Sequence, residues 1–305
     1  MNSPDSERAP ESPEADTDTP VHFPPPAHEE LDSSLHSPAP TSSERFPVPY
    51  SGLPADSDTP LKWADLVYLV LFYVVSGELL GLLVMGAATV FFHIPFKSLQ
   101  DLAGPGAAVA VISQFLLSLA TLAFLYVVVR GRSAAPFWPA VGWHAFRNVT
   151  SRAATTIRYV LLGFGLAMVV SLASRYMDTD KTLPMEELFR NRDTVVMLML
   201  LGILVAPLIE ETLFRGCLYP LVARSFGIPA GIIVTGIVFG LAHAPQLWGG
   251  WGQIALLMGV GTVLTYIRAR AGTVAASYFV HVSYNTILFA GLFFATGGLR
   301  HFPPT

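Results

Sequence analysis

Two adjacent glutamates, Glu210 and Glu211, lie near the end of an apolar run that starts about Val195. A carboxylate at membrane depth is costly, so an acid placed there marks a functional site by default. Glu211 and Arg215 stand four residues apart, share a helix face and can pair. The helical period turns Glu210 about 100° away from Glu211, so it points elsewhere and stays available. Leu213 and Phe214, three and four places beyond Glu210, offer it no cation. Two further polar groups follow on apolar stretches, Phe239-x-x-x-His243 and His281-x-x-x-Asn285. The spacing of the last pair puts both side chains on one helix face. A carboxylate and two imidazoles can activate water, with or without a metal. Asn285 adds an amide donor suited to a developing oxyanion. Taken singly, each group has a structural explanation, since an intramembrane histidine commonly bonds a neighbouring helix. Three such clusters on three successive spans are harder to explain that way.

The elements that must position these residues are transmembrane helices. The chain of 305 residues is 52% hydrophobic and 13% charged, against about 25% charged in a soluble domain. Met1 to about Pro60 is a different polymer. It holds 13 of the 24 prolines and 12 of the 22 acids, with only Arg8 and Arg45 as cations. With no apolar period it is expected to be a disordered tail, and it shows no signal-peptide pattern. The remaining body, 61–305, has 10 acids against 16 basic residues. No nucleic-acid motif appears in it.

The expected fold class is all-α, a polytopic transmembrane helix bundle of seven or eight spans. The spans begin near Trp63, Ala107, Arg158, Thr194, Ala230, Gln253 and Thr273. An eighth would hide in the long first segment or around Gly227. Pro207 should kink the fourth span one turn before the carboxylates. Glu78, in mid-span, is expected to bond a neighbouring helix. Cys217 is expected to be a small buried residue rather than a nucleophile. Met185-Glu186-Glu187-Leu188-Phe189-Arg190 imitates the first motif one residue short, and is read as a solvated amphipathic segment. The arginines after span two place that loop, and the amino terminus, in the cytoplasm by the positive-inside rule. Counted along their spans, His243 and His281 differ in depth by about 9 Å at ~1.5 Å per residue. Either 226–231 is irregular backbone lining a water-filled cavity, or the fifth span is strongly tilted.

Glu-Glu-x-x-x-Arg, Phe-x-x-x-His and His-x-x-x-Asn, in this order on successive spans, resemble the CAAX protease and bacteriocin-processing family. Its members are intramembrane proteases also known as Abi proteins or type II CAAX prenyl endopeptidases. The resemblance covers about 194–295. It implies that Glu210 and His243 activate the attacking water. It implies that His281 and Asn285 stabilise the oxyanion, and that Glu211 and Arg215 form a supporting ion pair. It implies an endopeptidase acting on a membrane-associated or prenylated peptide. A metalloprotease would instead use Glu210, His243 and His281 as ligands of a divalent metal such as zinc. The sequence leaves both readings open, because they need the same residues. The competing reading is non-catalytic: a transporter-like, scaffold or bacteriocin-immunity protein that binds through these groups. A transporter would tend to show repeated halves with paired broken helices, and none is visible. The expected setting is multi-pass in the cell membrane, with lipid and a peptide or protein substrate as partners.

Overall fold

The computed structural model describes residues 59–101, 104–146, 149–177, 183, 184, 188 and 192–299. The tail up to residue 58 lies outside this set. So does the Met185–Arg190 imitation, Leu188 excepted. Seven main helices make up the described body: α1 Trp63–Phe92, α2 Pro105–Arg132, α3 Arg152–Ser174, α4 Arg192–Phe226, α5 Ile228–Ala242, α6 Trp251–Ala271 and α7 Val274–Ala295. Six are long and apolar enough to cross a membrane, and α5, at 15 residues, is a shorter apolar helix. The chain is therefore an integral, all-helical membrane protein. The first span runs as expected, and neither it nor the break at Gly227 hides an eighth.

Local chemistry accounts for the helix ends. Ser151 caps α3 by accepting from the Ala154 amide, and Thr273 caps α7 by accepting from the Ala275 amide. Both hydroxyls satisfy donors that a helix start leaves orphaned. Pro105 fits the first turn of α2, where no amide proton is needed. Gly272 ends α6 with φ +68°, a left-handed conformation that suits glycine. Between α4 and α5 a single residue, Gly227 with φ +88°, reverses the chain. The irregular stretch expected over 226–231 is confined to that residue, because Pro229 restarts a helix at once.

Helix α5 packs on α6 and on the end of α4, while α3 packs on α7 and α1 on α2. The α5–α6 contact depends on glycine. A Cβ on Gly236 or Gly240 would collide with Thr262 or Met258, and one on Gly261 with Phe239. Small residues let helix backbones approach in lipid, where no hydrophobic force drives them together. The amino-terminal end of the body is tied down by polar contacts. Arg224 donates to the carbonyls of Thr59 and Leu61 at 3.0 and 2.9 Å. Asp65 pairs with Arg132 at 2.6 Å, joining α1 to α2. Glu78, by contrast, is exposed on α1, and no interhelical hydrogen bond to it is formed among the described residues. Its neighbours on that face are lipid-facing apolar side chains such as Val74, Val75 and Leu82. Cys217 is 1% exposed, in a cluster with Leu61, Leu125, Val129, Phe137 and Val141, so it is a packing residue.

Candidate active site

Helix α4 is the frame of the site. It is a continuous helix, and the turn before Pro207 is wound more widely rather than broken. Residues Leu201–Val205 and Phe214–Leu218 are wound as π-helix, and Ala206–Leu213 between them is α-helix. Each π segment ends two residues before a proline, Pro207 or Pro220. In each, the residue between bonds back five places: Ala206 N–H to Leu201, and Tyr219 N–H to Phe214. Proline has no amide proton and crowds the preceding turn, so a wider turn just before it relieves the helix. The α-helical section held between the two wide turns carries Glu210 and Glu211.

Glu211 and Arg215 are both 0% exposed and pair at 2.9 Å, as the four-residue spacing predicts. The arginine is held on every side. It donates to the Gly261 carbonyl at 2.9 Å and to the Thr265 hydroxyl at 3.3 Å, both on α6. Its guanidinium lies 4.5 Å from the centroid of the Phe239 ring on α5. That combination of planar donors and ring stacking is peculiar to arginine. Sequence spacing identified the pair but not these α6 partners, because Gly261 acts through its backbone.

Glu211 also reaches α7. The same oxygen that faces Arg215 accepts from His281 Nδ1 at 2.9 Å. On α5, His243 Nδ1 donates to the Phe239 carbonyl at 2.8 Å. A carbonyl can only accept, so this proton sits on Nδ1 and leaves Nε2 with a lone pair. Glu211 fixes His281 in the same sense. Both Nε2 atoms are turned to Glu210, whose Oε2 stands 3.9 Å from His243 and 3.8 Å from His281. Phe239 lies behind both imidazoles, with ring centroids 4.7 and 5.8 Å away. The phenylalanine of the second motif is thus the surface on which Arg215, His243 and His281 converge.

Burial separates the two carboxylates. Glu211 is sealed, whereas the side chains of Glu210 and His243 keep 25% and 20% exposure. The gaps around Glu210 are too wide for direct hydrogen bonds and leave room for a bridging water. Five of the six expected catalytic residues therefore meet, although counting along the spans put His243 and His281 at different depths. Asn285 is drawn elsewhere. Its Nδ2 donates to the Gly202 carbonyl at 2.6 Å, on the first π segment of α4.

Zinc would find suitable donor types in Glu210, His243 and His281. The spacing is a poorer fit. Donors around tetrahedral zinc lie about 3.3 Å apart, closer than either gap to Glu210. Among the described residues no three His, Cys, Asp or Glu side chains are grouped closely enough to hold a metal ion.

Residues 192–287 match the family model for type II CAAX prenyl endopeptidase Rce1-like proteins. The matched segment, about a third of the chain, is similar to that family. The match spans α4 to the first half of α7 and contains all three motifs, consistent with the resemblance to the CAAX protease and bacteriocin-processing family. No curated protein and no solved structure matches the chain. The family match stops short of α1–α3. One strut on the matched segment comes from there: Trp143 Nε1 donates to the Thr212 hydroxyl at 3.0 Å, next to Glu211. Neither motif nor spacing singled out that contact, because Trp143 reads in sequence as an interfacial anchor.

Proposed function

We propose that the protein is an intramembrane endopeptidase that hydrolyses a peptide bond of a membrane-associated substrate, prenylated substrates included, with water activated by Glu210 and His243. The carrying observation is the convergence of one part-exposed carboxylate and the Nε2 atoms of two oriented imidazoles, 3.9 and 3.8 Å from it. The Rce1-like match supports the same class of reaction.

In this reading a water donates one proton toward Glu210 and the other toward His243 Nε2. Its oxygen attacks the scissile carbonyl carbon, and Glu210 takes the proton as the C–O bond forms. The carbonyl oxygen becomes an oxyanion. His281 can donate to it from Nε2 only as the imidazolium, because Nδ1–H is committed to Glu211. Glu211 balances that added charge. Asn285 has two amide protons, and this reading assigns the one not given to Gly202 to the oxyanion. Collapse of the intermediate breaks the C–N bond, and the proton held by Glu210 passes to the leaving amine. One water is consumed, giving an acid and an amine.

The test is cleavage of farnesylated and unfarnesylated CAAX-type peptides by protein purified in detergent, with and without a chelator. The expected result is cleavage by the wild type and none by Glu210→Gln. Turnover by folded Glu210→Gln at the wild-type rate would end the reading in favour of a binding protein. Loss of wild-type activity on chelation, restored by added zinc, would replace the metal-free mechanism with a metal one.

A further inference from the structure

The hydrogen bond from Asn285 to Gly202 has a cause on α4 itself. In an α-helix the Gly202 carbonyl would accept from the amide of Ala206. That amide is spent on Leu201, because the segment is wound as π-helix. In continued π winding the acceptor at Gly202 would take the amide of residue 207. Residue 207 is proline and has none. The Gly202 carbonyl therefore has no backbone donor in either register. Gly202 is half-buried, and a carbonyl left unpaired away from water is costly and finds a side-chain partner. Asn285 supplies the partner at 2.6 Å. The close approach also depends on Gly202 lacking a side chain, since a Cβ there would sit 2.9 Å from the Phe289 ring, one turn beyond Asn285.

We infer that Pro207 is a positioning residue for Asn285: by stripping the Gly202 carbonyl of its backbone donor, it creates the acceptor that anchors the Asn285 amide. The amide is planar, so holding one of its protons fixes the direction of the second. A proline three residues before Glu210 would thus orient a donor on another helix. The catalytic part of this inference rests on the protease reading. The anchoring part does not.

The experiment is a double-mutant cycle of Pro207→Ala, Asn285→Ala and the combination, in the full chain purified in detergent. Pro207→Ser runs beside Pro207→Ala in case either folds poorly. Each protein is scored for melting temperature and, on a cleaved CAAX-type peptide, for kcat and KM separately. Alanine at 207 restores an amide proton to the wide turn. Asn285→Ala is then expected to lower Tm by several degrees in the wild-type background and by much less beside Pro207→Ala. The cycle cancels the effect of proline on the unfolded chain. Pro207→Ala alone is expected to keep or raise Tm while kcat falls, with KM little changed. The fall should not exceed the 10²–10³-fold loss typical of a missing oxyanion donor. Equal Tm losses from Asn285→Ala in both backgrounds would overturn the anchoring. Coupled Tm values with an undiminished kcat in Pro207→Ala would overturn the positioning role. An inactive wild type would sink the protease reading and the catalytic part with it, while the Tm cycle would still decide the anchoring.

Discussion

Replacing each of the two neighbouring glutamates by glutamine should separate stability from turnover. Glu211 is fully buried against Arg215 and His281. Breaking a buried ion pair by neutralising one partner costs about 3–5 kcal/mol, because the other charge is left uncompensated. Glutamine keeps an oxygen that can still accept from Arg215, and the arginine keeps Gly261, Thr265 and the Phe239 ring. The expected cost of Glu211→Gln is therefore at the lower end, ~3 kcal/mol. At about 2–4 °C per kcal/mol for a body of this size, Tm should fall by roughly 6–12 °C. Glu210 is a quarter exposed and has no neighbour at direct hydrogen-bond distance in the site. Glu210→Gln should move stability by no more than about 1 kcal/mol. Its rate should nevertheless fall by about 10²–10⁴-fold, the share of a general base. The assay is Tm by tryptophan fluorescence beside initial rates on one peptide, for both variants in one detergent. A Glu210→Gln protein that melts as early as Glu211→Gln, or an active Glu210→Gln beside a stable inactive Glu211→Gln, would refute the division of labour.

The other expectations follow from the same contacts. His243→Ala should match Glu210→Gln in rate and leave Tm nearly unchanged, whereas Phe239→Leu should lower both, because the ring supports Arg215 and both imidazoles; paired Tm and rate measurements decide it. Gly236→Leu should abolish folding or cost several kcal/mol, since α6 lies against that position, and yield of monodisperse protein in detergent is the readout. Glu78→Leu should leave activity intact and not lower Tm, because it removes an exposed acid from an apolar helix. A chain lacking residues 1–58 should stay active, and one lacking 1–61 should be less stable, because Arg224 loses the Thr59 and Leu61 carbonyls. Thiol-reactive labelling of single cysteines at Ser3 and Ala134 in closed vesicles should find both on the cytoplasmic side; opposite sides would overturn the orientation read from the arginines.

What could be read from the sequence was whatever follows from spacing within one helix. The spans, the Glu211–Arg215 pair and the free Glu210 all follow from a period of 3.6 and from apolar length. The Rce1-like motifs were legible because three polar clusters interrupt apolar runs in a fixed order. Contacts between helices were not legible. Depth counting separated His243 from His281, yet the short α5 ends with His243 as its cap beside Glu210. Proline was read as a disturbance at 207, but the wide π turn just before it was not foreseen. The backbone partners of Arg215 and Asn285, Gly261 and Gly202, have no side chain for a sequence pattern to show.

Two fully buried charges in a membrane domain call for a reason, because an apolar replacement of a buried pair is often neutral or stabilising. The geometry offers one in the proposed mechanism. With Glu210 and Glu211 ionised, Arg215 cationic and His281 as imidazolium, the cluster is neutral as a whole. When Glu210 takes the proton from water, its charge reappears on the oxyanion beside the imidazolium. Charge moves across the site, and none is created in the low-dielectric interior, where an uncompensated ion would cost several kcal/mol. Glu211 and Arg215 stay fixed throughout, oriented before the reaction begins, so no dipole has to reorganise as the charge shifts. Glu211 thus orients His281, and its charge keeps the cluster neutral when that histidine is protonated. A neutral hydrogen-bonding residue at 211 could do the first but not the second, which is why Glu211→Gln is expected to slow turnover even at temperatures where the variant is fully folded.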